Sequence, residues 1–304
     1  MNFDDISVYQ LNTSIMKSLI DNIPLQSPAQ QQCSPDLQRF LFSQNSLIKC
    51  KKHILNKKIL HPKETGSQTF SKISQTILKT QYNDTSSSIS FSVYPVQDPP
   101  LKSLKKHQSL IFLNLSYAYF TSPKTLSPIH SFQSLVSLSL HNCALFEVPA
   151  ELCKLPPKLQ NLDLSENYLS EIPSDVKWDK LKHINLSINC FSSWPSVIQS
   201  NCLHLTTLLF SFNDLGCTQF PAHPLPELKR LDLSYCNLIS FPAFIYHSKN
   251  LEIINLNGNC QISDFYFKNL NNLHQLKQIF INLITYHDDY LHSFPYEVKS
   301  AQIC

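Results

Sequence analysis

Few residues of this chain have the types and spacing that catalysis or metal binding requires. The densest polar group is His287, Asp288 and Asp289, and histidine with carboxylates is a common set of metal ligands. Adjacent residues of an extended segment face opposite sides, however, so this triplet does not converge on one ion. The ten cysteines include no C-x-x-C pair, a spacing typical of structural zinc sites. We therefore predict no catalytic residue, no metal and no cofactor.

Glycine is scarce, and its scarcity excludes two classes of nucleotide site. The chain has three glycines, Gly66, Gly216 and Gly258. A phosphate-binding loop needs G-x-x-x-x-G-K and a dinucleotide fingerprint needs G-x-G-x-x-G, because the backbone must approach the phosphates closely. The closest pair, Gly216 and Gly258, is far too widely spaced for either motif.

Leucine, in contrast, recurs in a fixed pattern, L-x-x-L-x-L-x-x-N-x-L, which is clearest from Leu159 to Leu169. Eight copies follow one another at intervals of 22 to 25 residues, beginning at Leu110, Leu135, Leu159, Leu181, Leu205, Leu228, Leu251 and Leu276. The alternating L-x-L piece predicts a short strand with one apolar face. A single copy cannot bury that face, so neighbouring copies must stack around a continuous core.

The ninth position of each copy is a second constraint. An asparagine amide there bonds backbone groups that a buried turn would leave unpaired, and a small cysteine replaces it twice. In chain order this position holds Ala118, Cys143, Asn167, Asn189, Asn213, Cys236, Asn259 and Ile284. The two departures are terminal, as expected of capping repeats. We interpret Cys143 and Cys236 as structural thiols.

An apolar residue followed by proline recurs after the turn. It is found at Val148-Pro149, Ile172-Pro173, Trp194-Pro195, Phe220-Pro221 and Phe241-Pro242. Proline is predicted there to break regular structure on the outer, convex side. Pro221 comes two residues late, so Gly216-Cys217-Thr218 predicts a small bulge in its repeat.

With these registered copies, residues 86–304 resemble the leucine-rich repeat family. The apolar-proline form is similar to the intracellular type, which includes Ras-pathway scaffolds. The resemblance implies an α/β solenoid, a leucine-rich repeat horseshoe with a parallel, concave sheet of about eight strands. Secreted members usually carry clustered cysteines at both ends of the repeats, and that clustering is absent. We therefore expect reduced thiols and a cytoplasmic or nuclear protein.

Residues 1–85 form a different region, rich in Ser, Gln and Lys. Their composition predicts a largely disordered segment with short helices at residues 15–23 and 36–47, and a docking segment is the alternative. The lysines at 49–63 favour a solvated charged stretch, with a nuclear-import signal as the alternative. The alternating segment 88–94 predicts a strand that pairs beside the first repeat.

The charge balance and the hydropathy of the chain limit the classes of partner that it is expected to bind. Residues 101–304 hold 15 basic and 15 acidic side chains, so the repeats have no basic surface for nucleic acid. No apolar run is long enough to span a membrane, and the first ten residues do not form a secretory signal. We expect a monomer that binds protein partners.

Partner binding is predicted on the concave face, the side chains at the third, fifth and seventh positions of each repeat. Residues that depart there from small polar types, and aromatic residues one position later, favour an interface. They are Asp163, His183, Leu209, Phe212, Arg230, Asp232 and Tyr235. Asp163 and Asp232 lie three strands apart, about 14 Å, which is too far for paired acid–base catalysis.

These observations favour a non-catalytic scaffold or adaptor rather than an enzyme. Within that class, a substrate receptor of a ubiquitin ligase and a regulatory subunit of a phosphatase are uses that the resemblance implies. An extracellular receptor or adhesion ectodomain is the main alternative, and it would carry glycans at the sequons of Asn114 or Asn185.

Overall fold

The computed structural model describes residues 87–91, 97–216, 218–259, 261–262, 270, 272–281 and 297–300. Ten short strands form one open sheet in chain order, and neighbouring strands are parallel. They are β1 (Ser88–Ser90), β2 (Phe112–Asn114), β3 (Ser137–Ser139), β4 (Asn161–Asp163), β5 (His183–Asn185), β6 (Thr207–Leu209), β7 (Arg230–Asp232), β8 (Ile253–Asn255), β9 (Gln278–Ile281) and β10 (Glu297–Ser300).

The predicted register of the repeats is confirmed. Strands β2 to β9 belong to the eight copies, and each pairs with the next at the same repeat position, as Leu162 does with Ile184 and Leu208 with Leu231. The sheet has two more strands than the eight predicted from the repeats. β1 is the strand expected beside the first repeat, and β10 pairs with β9 in a C-terminal segment where no strand was predicted.

The asparagine at the ninth position ties each repeat to its predecessor. Asn189 accepts a hydrogen bond at Oδ1 from the Leu169 N–H (3.0 Å). Its Nδ2 donates to the carbonyls of Leu164 and Leu186, both at 3.0 Å. Asn167, Asn213 and Asn259 make corresponding bonds. Because buried backbone groups need partners, these amides satisfy turns that the core would otherwise leave unpaired.

The cysteines at this position reproduce part of that pattern. The Cys236 thiol donates to the carbonyls of Phe210 (3.3 Å) and Ser234 (3.5 Å). Four repeats earlier, Cys143 makes the corresponding bonds to the carbonyls of Leu115 and His141. Cysteine has no side-chain oxygen to replace the asparagine Oδ1 as an acceptor. Instead, the backbone carbonyl of Cys236 accepts a hydrogen bond from the Leu215 N–H at 2.9 Å. Burial raises the pKa of the Cys236 thiol, so this sulfur is a poor nucleophile.

Short helical turns line the outer side of the repeats. They are the 3-10 helices Leu101–Lys106, Pro123–Ser131, Ala150–Leu152 and Ala243–His247, and the α-helix Val197–Asn201. The repeated prolines open such turns rather than break them: the carbonyl of Pro149 accepts from the Leu152 N–H (2.7 Å), and that of Pro242 from Ile245 (3.1 Å). Proline suits the start of a helix because it has no backbone N–H, and an N–H at this place would have no partner within the helix. Within the described ranges, no helix is long and apolar enough to cross a bilayer.

One continuous apolar cluster runs from Ile89 to Ile281 between the sheet and the outer turns. The indole of Trp178 is fully buried and donates its N–H to the Leu152 carbonyl at 2.7 Å. Trp194 packs against the rings of Phe210 and Phe244 at centroid distances of 5.4 and 5.2 Å. Since each side chain bridges repeats, this core holds the strands of the sheet in fixed relative positions.

Several predictions fall outside the described residues. They concern the region 1–85, the part of the first strand at 92–94, Cys217 in the predicted bulge, and the polar triplet at 287–289.

Candidate functional site

The concave face is built by the alternation of each strand. Arg230 and Asp232 flank Leu231, which is fully buried in the core. The parallel register then aligns equal repeat positions, so that His183, Thr207 and Arg230 follow one another across β5, β6 and β7. The predicted interface residues therefore belong to four neighbouring strands, β4 to β7, and to the turns that follow β6 and β7.

Two of the predicted residues, Asp163 and Asp232, hold turns. In both, Oδ1 accepts hydrogen bonds from the backbone N–H and the hydroxyl of the serine two residues later: Ser165 at 3.0 and 2.6 Å, and Ser234 at 2.9 and 2.6 Å. Asp232 is only 2% exposed, although the sequence placed it on the accessible face. It is consequently a structural residue of the strand end, while Asp163 stays half-buried.

The same turn recurs at three further fifth positions. Asn114, Asn185 and Asn255 each accept from the backbone N–H two residues later, at 2.9, 3.1 and 3.2 Å. Asp or Asn followed two residues later by Ser or Asn is the sequence signal of these turns. That signal marks fifth-position carboxylates as turn residues before any partner is considered.

Three cations, Lys182, Lys229 and Arg230, lie at or just before the start of β5 and β7. Together with the neighbouring imidazole of His183, we name them the cationic strip. Burial, followed by the charges of Lys182 and Arg230, lowers the pKa of His183. Lys229 lies 3.4 Å from Glu252, which also contacts Lys277 at 2.5 Å. Among the described residues, Lys182 and Arg230 form no ion pair.

Phe212 and Tyr235 form the aromatic pair at the rim of the concave face. Their rings are stacked, with centroids 4.6 Å apart and planes 8° from parallel. Gly258 supports the pair from the next repeat, because a Cβ at that position would lie 2.3 Å from the Tyr235 ring. Both side chains remain partly exposed. They therefore pack against each other and still contribute to the surface at the rim.

These aromatic residues occupy the eighth position, where the backbone is left-handed in seven successive repeats. The residues are Tyr117, Asn142, Glu166, Ile188, Phe212, Tyr235 and Gly258, with φ between 52° and 75°. Positive φ is uncommon outside glycine and asparagine. The left-handed turn thus places large side chains at the rim, at a local conformational cost. No motif in the sequence predicted this backbone geometry.

A second polar cluster, on β3 and β4, lies outside the predicted set. The rings of the exposed Tyr117 and of His141 are nearly perpendicular, with centroids 5.2 Å apart. Nδ1 of His141 lies 2.9 Å from the Ser165 hydroxyl, and Nε2 lies 3.8 Å from Glu166. Ser165 is 5% exposed and donates its proton to Asp163, so this arrangement does not present an activated nucleophile. Within the described part of the chain, no group of three His, Cys, Asp or Glu is placed to hold a metal ion.

Comparison with known proteins agrees with this architecture. The Leucine Rich Repeat family model matches residues 158–177 and 227–247. The chain is 33% identical to Leucine-rich repeat-containing G-protein coupled receptor 5 of Xenopus tropicalis over 43% of its length and 14% of the receptor. It is 30% identical to mouse Leucine-rich repeat serine/threonine-protein kinase 1 over 43% of its length and 8% of the kinase.

A third relative is human PH domain leucine-rich repeat-containing protein phosphatase 1, which is 29% identical over 50% of the chain and 10% of the phosphatase. The chain therefore spans only a small part of the length of these relatives. A solved structure, a leucine-rich repeat protein of Leptospira interrogans, matches 74% of the chain and 56% of its own at a TM-score of 0.59 and 22% identity. That likeness shows the fold.

The stacked parallel strands, the asparagine ladder and the continuous leucine core define a solenoid of the repeat class. Two of its segments match the leucine-rich repeat model, and its fold is that of a solved leucine-rich repeat protein.

Proposed function

We propose that the repeat domain is a non-catalytic protein-binding module that serves as an intracellular scaffold or adaptor, with its concave face as the contact surface. The observation that carries the proposal is the accessible aromatic pair beside Leu209 and Arg230 on a rigid sheet. Aromatic and arginine side chains supply most of the binding energy at protein interfaces. Side chains held by a packed core lose little entropy when a partner docks.

The three curated relatives support this choice indirectly. A receptor, a kinase and a phosphatase share only a leucine-rich stretch with this chain. A segment common to such different activities is better explained by recognition than by chemistry. Roles as a substrate receptor of a ubiquitin ligase or as a regulatory subunit of a phosphatase are finer versions of the same proposal.

The extracellular alternative predicts glycans at Asn114 or Asn185. Asn114 and Asn185 both lie on the concave face, where their Oδ1 atoms accept from Ser116 and Ser187. Glycans on these two asparagines would cover the surface that we assign to the partner. Expression in secretory cells, followed by intact mass before and after glycosidase treatment, separates the alternatives: occupied sites at both residues would favour the ectodomain and contradict the concave contact.

The direct test is comparative affinity capture with the full chain as bait. Arg230→Glu and Tyr235→Ala should each lose the proteins that the wild-type chain retains, because one reverses a charge and the other removes an aromatic anchor. Lys249→Glu is the matched control, since Lys249 is exposed in the turn after the outer helix Ala243–His247 and undergoes the same charge change. Circular dichroism confirms that each variant is folded.

The proposal requires a selective loss. If Arg230→Glu and Tyr235→Ala retain every partner that Lys249→Glu retains, the concave face is not the contact surface.

A further inference from the structure

We infer that the concave face over β5 to β7 receives an acidic protein segment that carries large apolar side chains. This inference rests on the proposed function and specifies its partner. It follows from two neighbouring features of this surface. The cationic strip lies at the start of β5 and β7, and an apolar group, Leu209 with the aromatic pair, lies at the end of β6 and in the turns after β6 and β7.

The positive charge of the cationic strip is largely uncompensated. Arg230 and Lys182 have no ion pair among the described residues, and Glu252 is shared between Lys229 and Lys277. Asp232 lies close in sequence to Arg230, but it is buried. Its Oδ1 accepts two hydrogen bonds from Ser234, and its Oδ2 accepts one from Asn255 at 3.2 Å. Carboxylates of a partner would therefore supply the partners that the chain itself does not.

The charge of the concave face changes sign at β5. On β4 and its turn, the ionisable side chains are the acids Asp163 and Glu166, whereas Lys182 directly precedes β5 and His183 begins it. An acidic segment is attracted to β5 and β7 and repelled from β4, so the same charges give position as well as affinity. A basic or neutral segment would gain nothing from this arrangement.

The apolar group lies within reach of the same segment. Arg230 and Tyr235 belong to one repeat, and the five residue steps from one to the other span at most about 17 Å when fully extended. An α-helix with its side chains is about 10–12 Å wide, so one amphipathic helix can contact the cationic strip and the aromatic pair together. Its acids would face the strip, and its large apolar residues would pack on Leu209 and the stacked rings of Phe212 and Tyr235.

Selection from a random peptide library displayed on phage tests this inference with the full purified chain as target. We expect the selected peptides to be enriched in Asp and Glu together with Leu, Phe or Trp. The best peptide, synthesised with a fluorophore, should lose about tenfold or more in affinity for Arg230→Glu and for Tyr235→Ala, measured by fluorescence anisotropy. Tyr235→Phe keeps the stacked ring and should bind as the wild type does, and so should Lys249→Glu.

Added salt should weaken the binding of this peptide, because part of the attraction is between exposed charges. Selected peptides that are neutral or basic, an affinity that Arg230→Glu leaves unchanged, or no selection above background would each overturn the inference. Comparable binding of a single-stranded oligonucleotide would also overturn it, because the site would then recognise polyanions in general. In the capture experiment, partners lost from the Tyr235 variant but not from the Arg230 variant would leave the concave contact standing and remove only its charge preference.

Discussion

Ile188 carries the least suitable side chain of the left-handed column. Its φ is +56°, and a β-branched residue pays the largest steric cost in that region. We expect Ile188→Asn to raise the free energy of unfolding by about 1 kcal/mol, because asparagine tolerates the left-handed backbone. Ile188→Val keeps the branched Cβ and is the matched control. Denaturant titration of both variants measures the difference, and equal midpoints would contradict a backbone origin.

The asparagine ladder predicts a graded response at a single position. Asn189→Ala leaves the Leu169 N–H without the bond that it makes now. It also removes one of two amide donors from each of the carbonyls of Leu164 and Leu186, which keep those of Asn167 and Asn213. We expect a loss of about 3 kcal/mol, since buried polar groups without partners are costly. Asn189→Cys should lose roughly half as much, because the thiol of Cys236 shows that sulfur can donate to the same class of carbonyls. Urea unfolding compares Asn189→Ala with Asn189→Cys. An equal loss of stability would show that a thiol at this position only fills space and does not act as a hydrogen-bond donor.

Proton binding at His183 reports the potential of the cationic strip. Burial, and then the charges of Lys182 and Arg230, lower its pKa in the native chain. Replacing Arg230 by Glu removes a repulsion and adds an attraction for the imidazolium, so the pKa of His183 should rise. Arg230→Gln should raise it by less, and Lys249→Glu should leave it unchanged. Titration of the imidazole resonances by NMR gives the values, and a pKa that stays the same in Arg230→Glu would refute a positive potential at β5.

At the scale of the elements, the strand leucines carry the stability of the stack. Leu164 and Leu186 are fully buried, and truncating such side chains costs about 2–5 kcal/mol. We expect Leu164→Ala and Leu186→Ala to fall in this range. Leu203, which is 49% exposed, provides the same chemical change outside the core, and Leu203→Ala should stay within about 0.5 kcal/mol. Thermal unfolding of the three variants distinguishes burial from helix or strand propensity, and a Leu203 effect of equal size would contradict the assigned core.

The register of these elements was predictable because burial imposes it directly. A shift by one residue would turn Leu162 and Leu164 to solvent, so the leucine pattern admits a single alignment. The fate of Asp232 was not predictable in the same way. Ser234, two residues later, signals the turn to which the Asp232 carboxylate bonds. The hydrogen bond from Asn255 on the neighbouring strand and the burial of Asp232 follow only from the structure. β10 was missed because its segment lacks the leucine pattern altogether.

At the scale of the whole molecule, a repeat array gains stability from interfaces between neighbours. The terminal repeats have a neighbour on one side only, so they are expected to be the least stable part of the array. β1 supplies the first of these interfaces, since Ile89 is fully buried and the Ser87 carbonyl accepts hydrogen bonds from Ile111 and Phe112 at 2.7 and 2.9 Å. The stack needs this strand to cover Leu113, whereas residues 1–85 are rich in Ser, Gln and Lys.

This asymmetry predicts the outcome of two truncations. Removing residues 1–80 should leave the melting temperature of the repeats nearly unchanged, because β1 and its contacts to β2 remain. Removing residues 1–91 should lower it by several degrees, because Leu113 and the edge of β2 lose their cover. Differential scanning calorimetry of the full chain and both truncations measures the three melting temperatures. A large fall in the shorter truncation would mean that the first 80 residues pack on the solenoid, and equal behaviour of the two would deny β1 its capping role.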